Sequence, residues 1–202
     1  MSLRLEEVLG FKPNTSNYLY ALCDYGIILK KDIFLSTFVK TVKKYDTKIV
    51  QYRDKINSND TQIENLKYLK KHLDIPIIIN DRIELINYAD GIHLGQEDFL
   101  KINKNKELAL KIIRKKIGNK LLGMSTHNET EILEANRLDL DMIGLGAYKS
   151  TSTKDVNDIL GSKISYLAKI SNHPVCAIGG VNIKDKIDNI TFNTVGSALY
   201  ED

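Results

Sequence analysis

Three polar side chains in the stretch 50-VQYRDK-55 give the first chemical signal. Side chains alternate along an extended chain, so Gln51, Arg53 and Lys55 share one face while Tyr52 and Asp54 take the other. A guanidinium grips oxygens in a planar fork and an ammonium acts as a mobile point charge, so Arg53 and Lys55 suit a polyanion. The second signal lies in 77-IIINDRIELINYADGIHLGQED-98, where two short apolar runs lead to Asn80-Asp81 and to Asp98. If the two runs are neighbouring parallel strands, Asp81 and Asp98 emerge on one rim. Carboxylates beside those cations suggest a diphosphate bridged by Mg²⁺, an ion typically held by one or two carboxylates plus phosphate oxygens and water.

Further candidates follow along the chain. In 144-GLGAYKSTSTK-154, small residues and hydroxyls precede a lysine, a composition suited to a loop whose Thr151, Thr153 and Lys154 close over phosphate. Gly179-Gly180 and Gly196-Ser197 would form a second anion site, because glycine lets backbone N–H groups approach phosphate closely. Ser125, in 123-GMSTHN-128, can bond an uncharged ring. His127 is read as the N-terminal neighbour of the next helix rather than a proton carrier, and His93, inside an apolar strand, as a satisfied core histidine.

Something must bring these residues together. Strand-like runs recur at 17–24, 47–54, 75–81, 91–96, 121–126, 142–148, 175–180 and 194–199. Helix-like stretches lie between them, at 33–45, 60–73, 128–139 and 158–170. Apolar strands alternating with amphipathic helices indicate parallel strands covered by helices. Eight of them suggest a closed TIM (β/α)8 barrel rather than a doubly wound sheet, whose first turn is usually glycine-rich, whereas Tyr25-Gly26-Ile27-Ile28 follows Asp24 here. The expectation is one barrel domain over residues 1–202, with 1–16 an N-terminal extension. Chemistry would then sit where the loops at the strand carboxyl ends converge.

Bulk composition agrees with a water-soluble protein. The chain has 202 residues, 43% hydrophobic and 27% charged, and no apolar run approaches the ~20 residues of a membrane span. The start, MSLRLEEVLGF, has no signal-peptide pattern, and Cys23 and Cys176 both fall in apolar runs, which points to buried thiols in a reducing cytoplasm. The densest basic region, 101-KINKNKELALKIIRKKIGNK-120, places Leu108, Ile112 and Ile113 at helical spacing, so its lysines and Arg114 would face solvent. No aromatic interleaves those charges, and no nucleic-acid partner is expected.

Taken in order, Q-x-R-x-K at 51–55, N-D at 80–81, H-x-G-Q-x-D ending at Asp98, G-x-S-x-H with Ser125 and His127, T-x-T-K at 151–154 and I-G-G ending at Gly180 make the chain resemble the thiamine phosphate synthase/TenI superfamily, and its synthase branch in particular. The resemblance implies joining of a hydroxymethylpyrimidine diphosphate to a thiazole phosphate, with release of pyrophosphate. It implies Mg²⁺ on Asp81 and Asp98, leaving-group stabilisation by Arg53, Lys55 and Lys154, a pyrimidine oriented by Ser125, and substrate contacts from Gln51 and Asn80. Thiazole phosphate would be held by Thr151, Thr153, Gly180, Gly196 and Ser197. The tautomerase branch would instead use a histidine at the place of His127, and a non-catalytic binder of a thiamine precursor is the remaining alternative. Two departures carry structural expectations. The loop at 146–154 lacks both prolines of the family pattern, which should loosen it, and the sequence stops at Asp202 without the usual last helix, leaving the eighth strand to be covered by residues 3–11 or by a second copy in a homodimer.

Overall fold

Short, continuously apolar strands alternate with helices along the chain, and the computed structural model, which describes residues 3–150 and 159–201, closes the strands into a barrel in sequence order. The strands are β1 (Tyr18–Asp24), β2 (Ile49–Arg53), β3 (Ile77–Asn80), β4 (Gly91–Leu94), β5 (Leu121–Thr126), β6 (Met142–Leu145), β7 (Val175–Ala177) and β8 (Phe192–Val195). Every neighbouring pair is parallel, including β1 with β8. The helices are α1 (Leu3–Leu9), α2 (Tyr25–Lys30), α3 (Leu35–Lys44), α4 (Asn59–His72), α5 (Gln96–Ile102), α6 (Lys106–Ile117), α7 (Glu129–Ala135) and α8 (Lys163–Ile170), with 3-10 turns at Ile83–Tyr88 and Ser197–Tyr200.

The strand period of two sorts the interior into layers. The lowest layer is Tyr20, Ile49, Ile78, Leu121, Met142, Cys176 and Phe192, one side chain from each strand but β4. On β4 the position falls to Gly91, where a Cβ would stand 2.6 Å from the Leu121 Cβ and 2.7 Å from the Ile78 Cδ1. Alternate residues point outward and form the larger cluster beneath the helices, with Val50, Tyr52, Ile79, Ile92 and Ile143 among its members.

Helix α1 plugs the amino-terminal end of the barrel. Its Leu5 is fully buried in the lowest layer, and its Arg4 donates to Asp139 (2.5 Å) and to Asp141 (2.9 Å). Asp141, fully buried ahead of β6, also accepts from Arg114 (3.0 Å) and from the Leu122 backbone N–H (2.8 Å). The N-terminal extension therefore closes the barrel floor instead of shielding β8 from outside.

Two sequence expectations need correction. The eighth strand is Phe192–Val195, not 194–199, so Gly196 and Ser197 lie past its end and start a 3-10 turn. Nor is the strand bare: Val195 and Leu199 are buried in the same outer cluster as Ile28, Phe38 and Val42. In the basic region, Asn103 ends α5 and a second helix, α6, begins at Lys106. The buried face of α6 is Ala109, Ile113 and Ile117, while Leu108 and Ile112 are about half exposed. Arg114 is turned inward because the Asp141 carboxylate and the carbonyls of Lys120 and Asp139 compensate its charge. Apolar spacing alone could not register that pairing.

Asp141→Ala removes the acceptor shared by two guanidiniums and a backbone N–H. The expected loss is about 3–5 kcal/mol, read as a lower denaturant midpoint with an unchanged m value; a loss within ~0.5 kcal/mol would refute the clasp as a determinant of stability.

Candidate active site

At the carboxyl end of β2 the alternation read from sequence is present. Gln51 is buried in the barrel and its Nε2 donates to the Tyr20 hydroxyl at 3.1 Å. Arg53, two residues on, pairs with Asp24 at the end of β1. Asp24 also caps α2, accepting from the N–H groups of Gly26 (2.9 Å) and Ile27 (3.3 Å). Sequence reasoning passed over Asp24, although an apolar run ending in an acid is the same signal that marked Asp81. On the outward face, the Tyr52 hydroxyl donates to Asp54 (2.7 Å), and Asp54 also accepts from Ile56 and Asn57. Burial pushes the Asp54 carboxyl up, but these bonds outweigh it and hold the group below its ordinary range. The fixed turn leaves Lys55 mostly exposed, with its ammonium 3.9 Å from Asp81.

Asp81 follows β3 in a left-handed backbone conformation (φ 64°), which its N–H secures by donating to the His93 carbonyl at 3.0 Å. Asp98 sits in the first turn of α5, accepting from the Gly95 N–H and from Lys101, each at 3.1 Å. The two acids interact. Burial, then the Asp98 charge, raises the Asp81 carboxyl above its ordinary value, partly offset by Lys55 and Asn80. Two half-buried carboxylates that repel each other are a donor set that a hard divalent cation would relieve. Among the described residues no group of three or more His, Cys, Asp or Glu side chains is placed to hold a metal. The remaining ligands of any such ion would be substrate oxygens and water, a coordination that suits Mg²⁺.

Across the mouth, β4, β5 and β6 form a wall with few side chains. His93 projects inward from β4, and its Nε2 lies 3.1 Å from the Ser125 Oγ. A Cβ on Gly123 would come within 2.4 Å of the His93 Nδ1, and one on Gly144 within 3.1 Å of Cε1. Burial lowers the His93 pKa to about 4, so the ring is neutral near pH 7. The expected satisfied core histidine is only half satisfied, since its Nδ1 is buried without a partner. The Ser125 carbonyl accepts from Gln96 (2.6 Å), whose own Oε1 accepts from Lys106 (2.6 Å). His127 is exposed, and both its backbone N–H (2.8 Å) and its Nδ1 (2.9 Å) meet Glu131 at the start of α7.

The remaining rim comes from the loops after β6, β7 and β8. Gly179 and Gly180 have φ of 85° and 66°. Their tight surroundings are the loop after β6: Cβ atoms there would stand 2.6 Å from the Ala147 Cβ and 2.6 Å from the Ser150 carbonyl oxygen. Gly196 and Ser197 begin the short 3-10 turn after β8, where a Cβ on Gly196 would face Ile27 and Leu22. Thr151, Thr153 and Lys154 lie outside the described residues.

A closed parallel β/α barrel with paired carboxylates, cations and glycine loops at one rim has its polar groups at the end where such barrels carry their active sites. A family model described as thiamine monophosphate synthase matches residues 19–199, and the chain belongs to that family. It is 34% identical over 195 residues to a thiamine-phosphate synthase of Persephonella marina, covering 91% of this chain and 88% of that one. Among solved structures, a thiamine phosphate pyrophosphorylase from Pyrococcus furiosus superposes with a TM-score of 0.68 at 20% identity, over 92% of this chain and 87% of that one. An N-acetylmannosamine-6-phosphate 2-epimerase from Clostridium perfringens reaches 0.60 at 13% identity, over 96% and 90%. At such identities the superpositions speak to the fold alone.

Two outcomes follow from this geometry. Because Asp81 binds its proton more tightly folded than unfolded, stability of the metal-free protein falls as pH rises from the ordinary carboxylate value through the raised value of the folded state. Asp81→Asn, which keeps a residue tolerant of positive φ, should raise the thermal midpoint at pH 7 in chelator. That gain should shrink towards about pH 4, near the ordinary Asp value; a variant no more stable than wild type at pH 7 would rule out the repulsion. Gly123→Ala should cost about 1–3 kcal/mol by displacing the imidazole, and a crystal structure of the variant with the His93 ring unmoved would contradict the tight fit.

Proposed function

We propose that the protein catalyses condensation of 4-amino-2-methyl-5-hydroxymethylpyrimidine diphosphate with thiazole phosphate, giving thiamine phosphate and pyrophosphate. One observation carries the assignment beyond family membership: the ends of β2 and β3 and the start of α5 bring Lys55, Asp81 and Asp98 into one interacting set, with Arg53 two residues before Lys55 at the end of β2. Such a set matches a diphosphate leaving group. It has no counterpart in the needs of a tautomerase, which would instead put proton transfer on His127.

In the mechanism, the bond between the pyrimidine methylene carbon and the diphosphate oxygen breaks, and its electron pair leaves on oxygen. The thiazole nitrogen then supplies the pair that forms the new C–N bond. Asp81 and Asp98 would hold Mg²⁺, which when bound neutralises charge building on the leaving oxygens. Arg53 stabilises the same charge from a fixed position, since its pairing with Asp24 orients the guanidinium before substrate arrives. Lys55 and Lys154 add mobile positive charge. Gln51, Asn80 and Ser125 orient the pyrimidine ring, and Thr151, Thr153, Gly180, Gly196 and Ser197 hold the thiazole phosphate so that its nitrogen faces the reacting carbon. Two buried free thiols, Cys23 and Cys176, favour a reducing cytoplasm as its location; among the described residues no helix is long and apolar enough to cross a membrane.

The purified protein, given both precursors and Mg²⁺, should form thiamine phosphate, followed by conversion to fluorescent thiochrome. Arg53→Gln should lower kcat about 10²–10³-fold, and Asp81→Asn should leave little activity at any Mg²⁺ concentration. Absence of product from wild type, with a precursor still bound, would transfer the assignment to a non-catalytic binder.

A further inference from the structure

The mechanism gives His93 no task, yet the fold makes unusual provision for it. Register places it beside Asn80 on one side and Gly123 on the other. Its ring lies against the inner wall where Gly123 and Gly144 leave room, with Cβ positions only 2.4 Å from Nδ1 and 3.2 Å from Nε2. An apolar side chain would fill the same volume without burying an unpaired nitrogen, which carries a desolvation cost. The bond that the imidazole does make, 3.1 Å from Nε2 to the Ser125 Oγ, is what distinguishes it from filler.

The orphaned Nδ1 decides the direction of that bond. A buried N–H without an acceptor is rarer in folded proteins than an under-used acceptor, so the proton belongs on Nε2 and Nδ1 is the bare lone pair. Nε2–H then donates to Oγ. A hydroxyl has one hydrogen to give, and with its oxygen accepting from His93 that hydrogen turns towards the mouth. Gln96 holds the Ser125 carbonyl from the other side, so the backbone carrying the hydroxyl is fixed as well.

We propose that His93 is a positioning residue whose Nε2–H donates to Ser125 Oγ, committing the Ser125 hydroxyl to donate to a ring nitrogen of the aminopyrimidine substrate. The identity of that ring rests on the synthase reading; the direction of the His93–Ser125 bond does not. Two measurements on the full chain test it. With ¹⁵N-labelled histidine, and His93→Gln used to assign the signal, the His93 imidazole should show the Nε2-protonated tautomer without substrate; the Nδ1-protonated form would overturn the proposal whatever the enzyme does. Calorimetric affinity for the pyrimidine diphosphate with Mg²⁺ should weaken about tenfold in His93→Leu and in Ser125→Ala, in line with one lost hydrogen bond. The double variant should be no weaker than Ser125→Ala, and His93→Gln, whose amide nitrogen reaches the position of Nε2, should recover most of the loss. Multiplying losses in the double variant, with all variants shown folded by their unfolding midpoints, would make His93 merely structural. Failure of wild type to form thiamine phosphate would instead fall on the synthase reading and leave the tautomer result standing.

Discussion

A period of two along eight parallel strands is the constraint from which the rest of this molecule follows. Once the barrel closes, each strand offers its inward residues in layers, and what can stand at the mouth is decided by what the chain places two and four residues beyond the lowest layer. From Ile49 the sequence rises through Gln51 to Arg53, from Leu121 through Gly123 to Ser125, and from Met142 through Gly144 to Gly146. The β2 side of the interior thus carries polar side chains at both levels, while β5 and β6 carry glycine at the middle level, Gly123 and Gly144. Those two glycines give the His93 ring its space.

Charge is handled differently at the two ends. At the amino-terminal end, Asp141 meets Arg4 and Arg114 and a backbone N–H, so a fully buried carboxylate is compensated within the protein and stabilises the plug. At the carboxyl end, Arg53 has its partner in Asp24, but Asp81 and Asp98 oppose each other, and among the described residues the cations paired with them are the distant, mostly exposed Lys55 ammonium and the solvent-facing Lys101. An exposed ammonium at such a distance contributes little, so repulsion and burial win and the Asp81 carboxyl is raised. Compensation is complete where charge serves stability and incomplete where a charged ligand would complete it.

Much of this was legible in the sequence because barrel strands are short, apolar and regularly spaced, and because polar groups at their ends break the pattern. Q-x-R-x-K could be read as a strand end from alternation alone. The misreadings have physical causes. TVGSAL looked like a strand because Val195 and Leu199 are both buried, yet Gly196 turns the chain between them. Arg114 looked solvated because nothing local announces Asp141, which is 27 residues away. His93 looked satisfied because its two neighbours, Gly123 and Gly144, are remote in sequence and matter through what they lack.

The loop after β6 shows how a missing sequence feature can be replaced by tertiary pairing. Without the family's prolines the backbone at 146–150 loses local restriction, and looseness was the natural expectation. In the fold, however, the Tyr148 N–H donates to the Ile178 carbonyl and the Lys149 N–H to that of Gly179, each at 2.9 Å, so β6–β7 pairing continues past the strands. The Lys149 ammonium adds an ion pair to Asp185 at 2.9 Å. On the far side of residues 151–158, the N–H groups of Leu160 and Gly161 return to the carbonyls of Ala147 (2.8 Å) and Tyr148 (3.0 Å). Residues 147–149 are therefore bonded both to the loop after β7 and to Leu160 and Gly161; Thr151, Thr153 and Lys154 lie outside the described residues. Gly179 and Gly180 are needed for this close backbone approach, since a Cβ on Gly179 would meet Ala147 and one on Gly180 would meet Lys149 and Ser150.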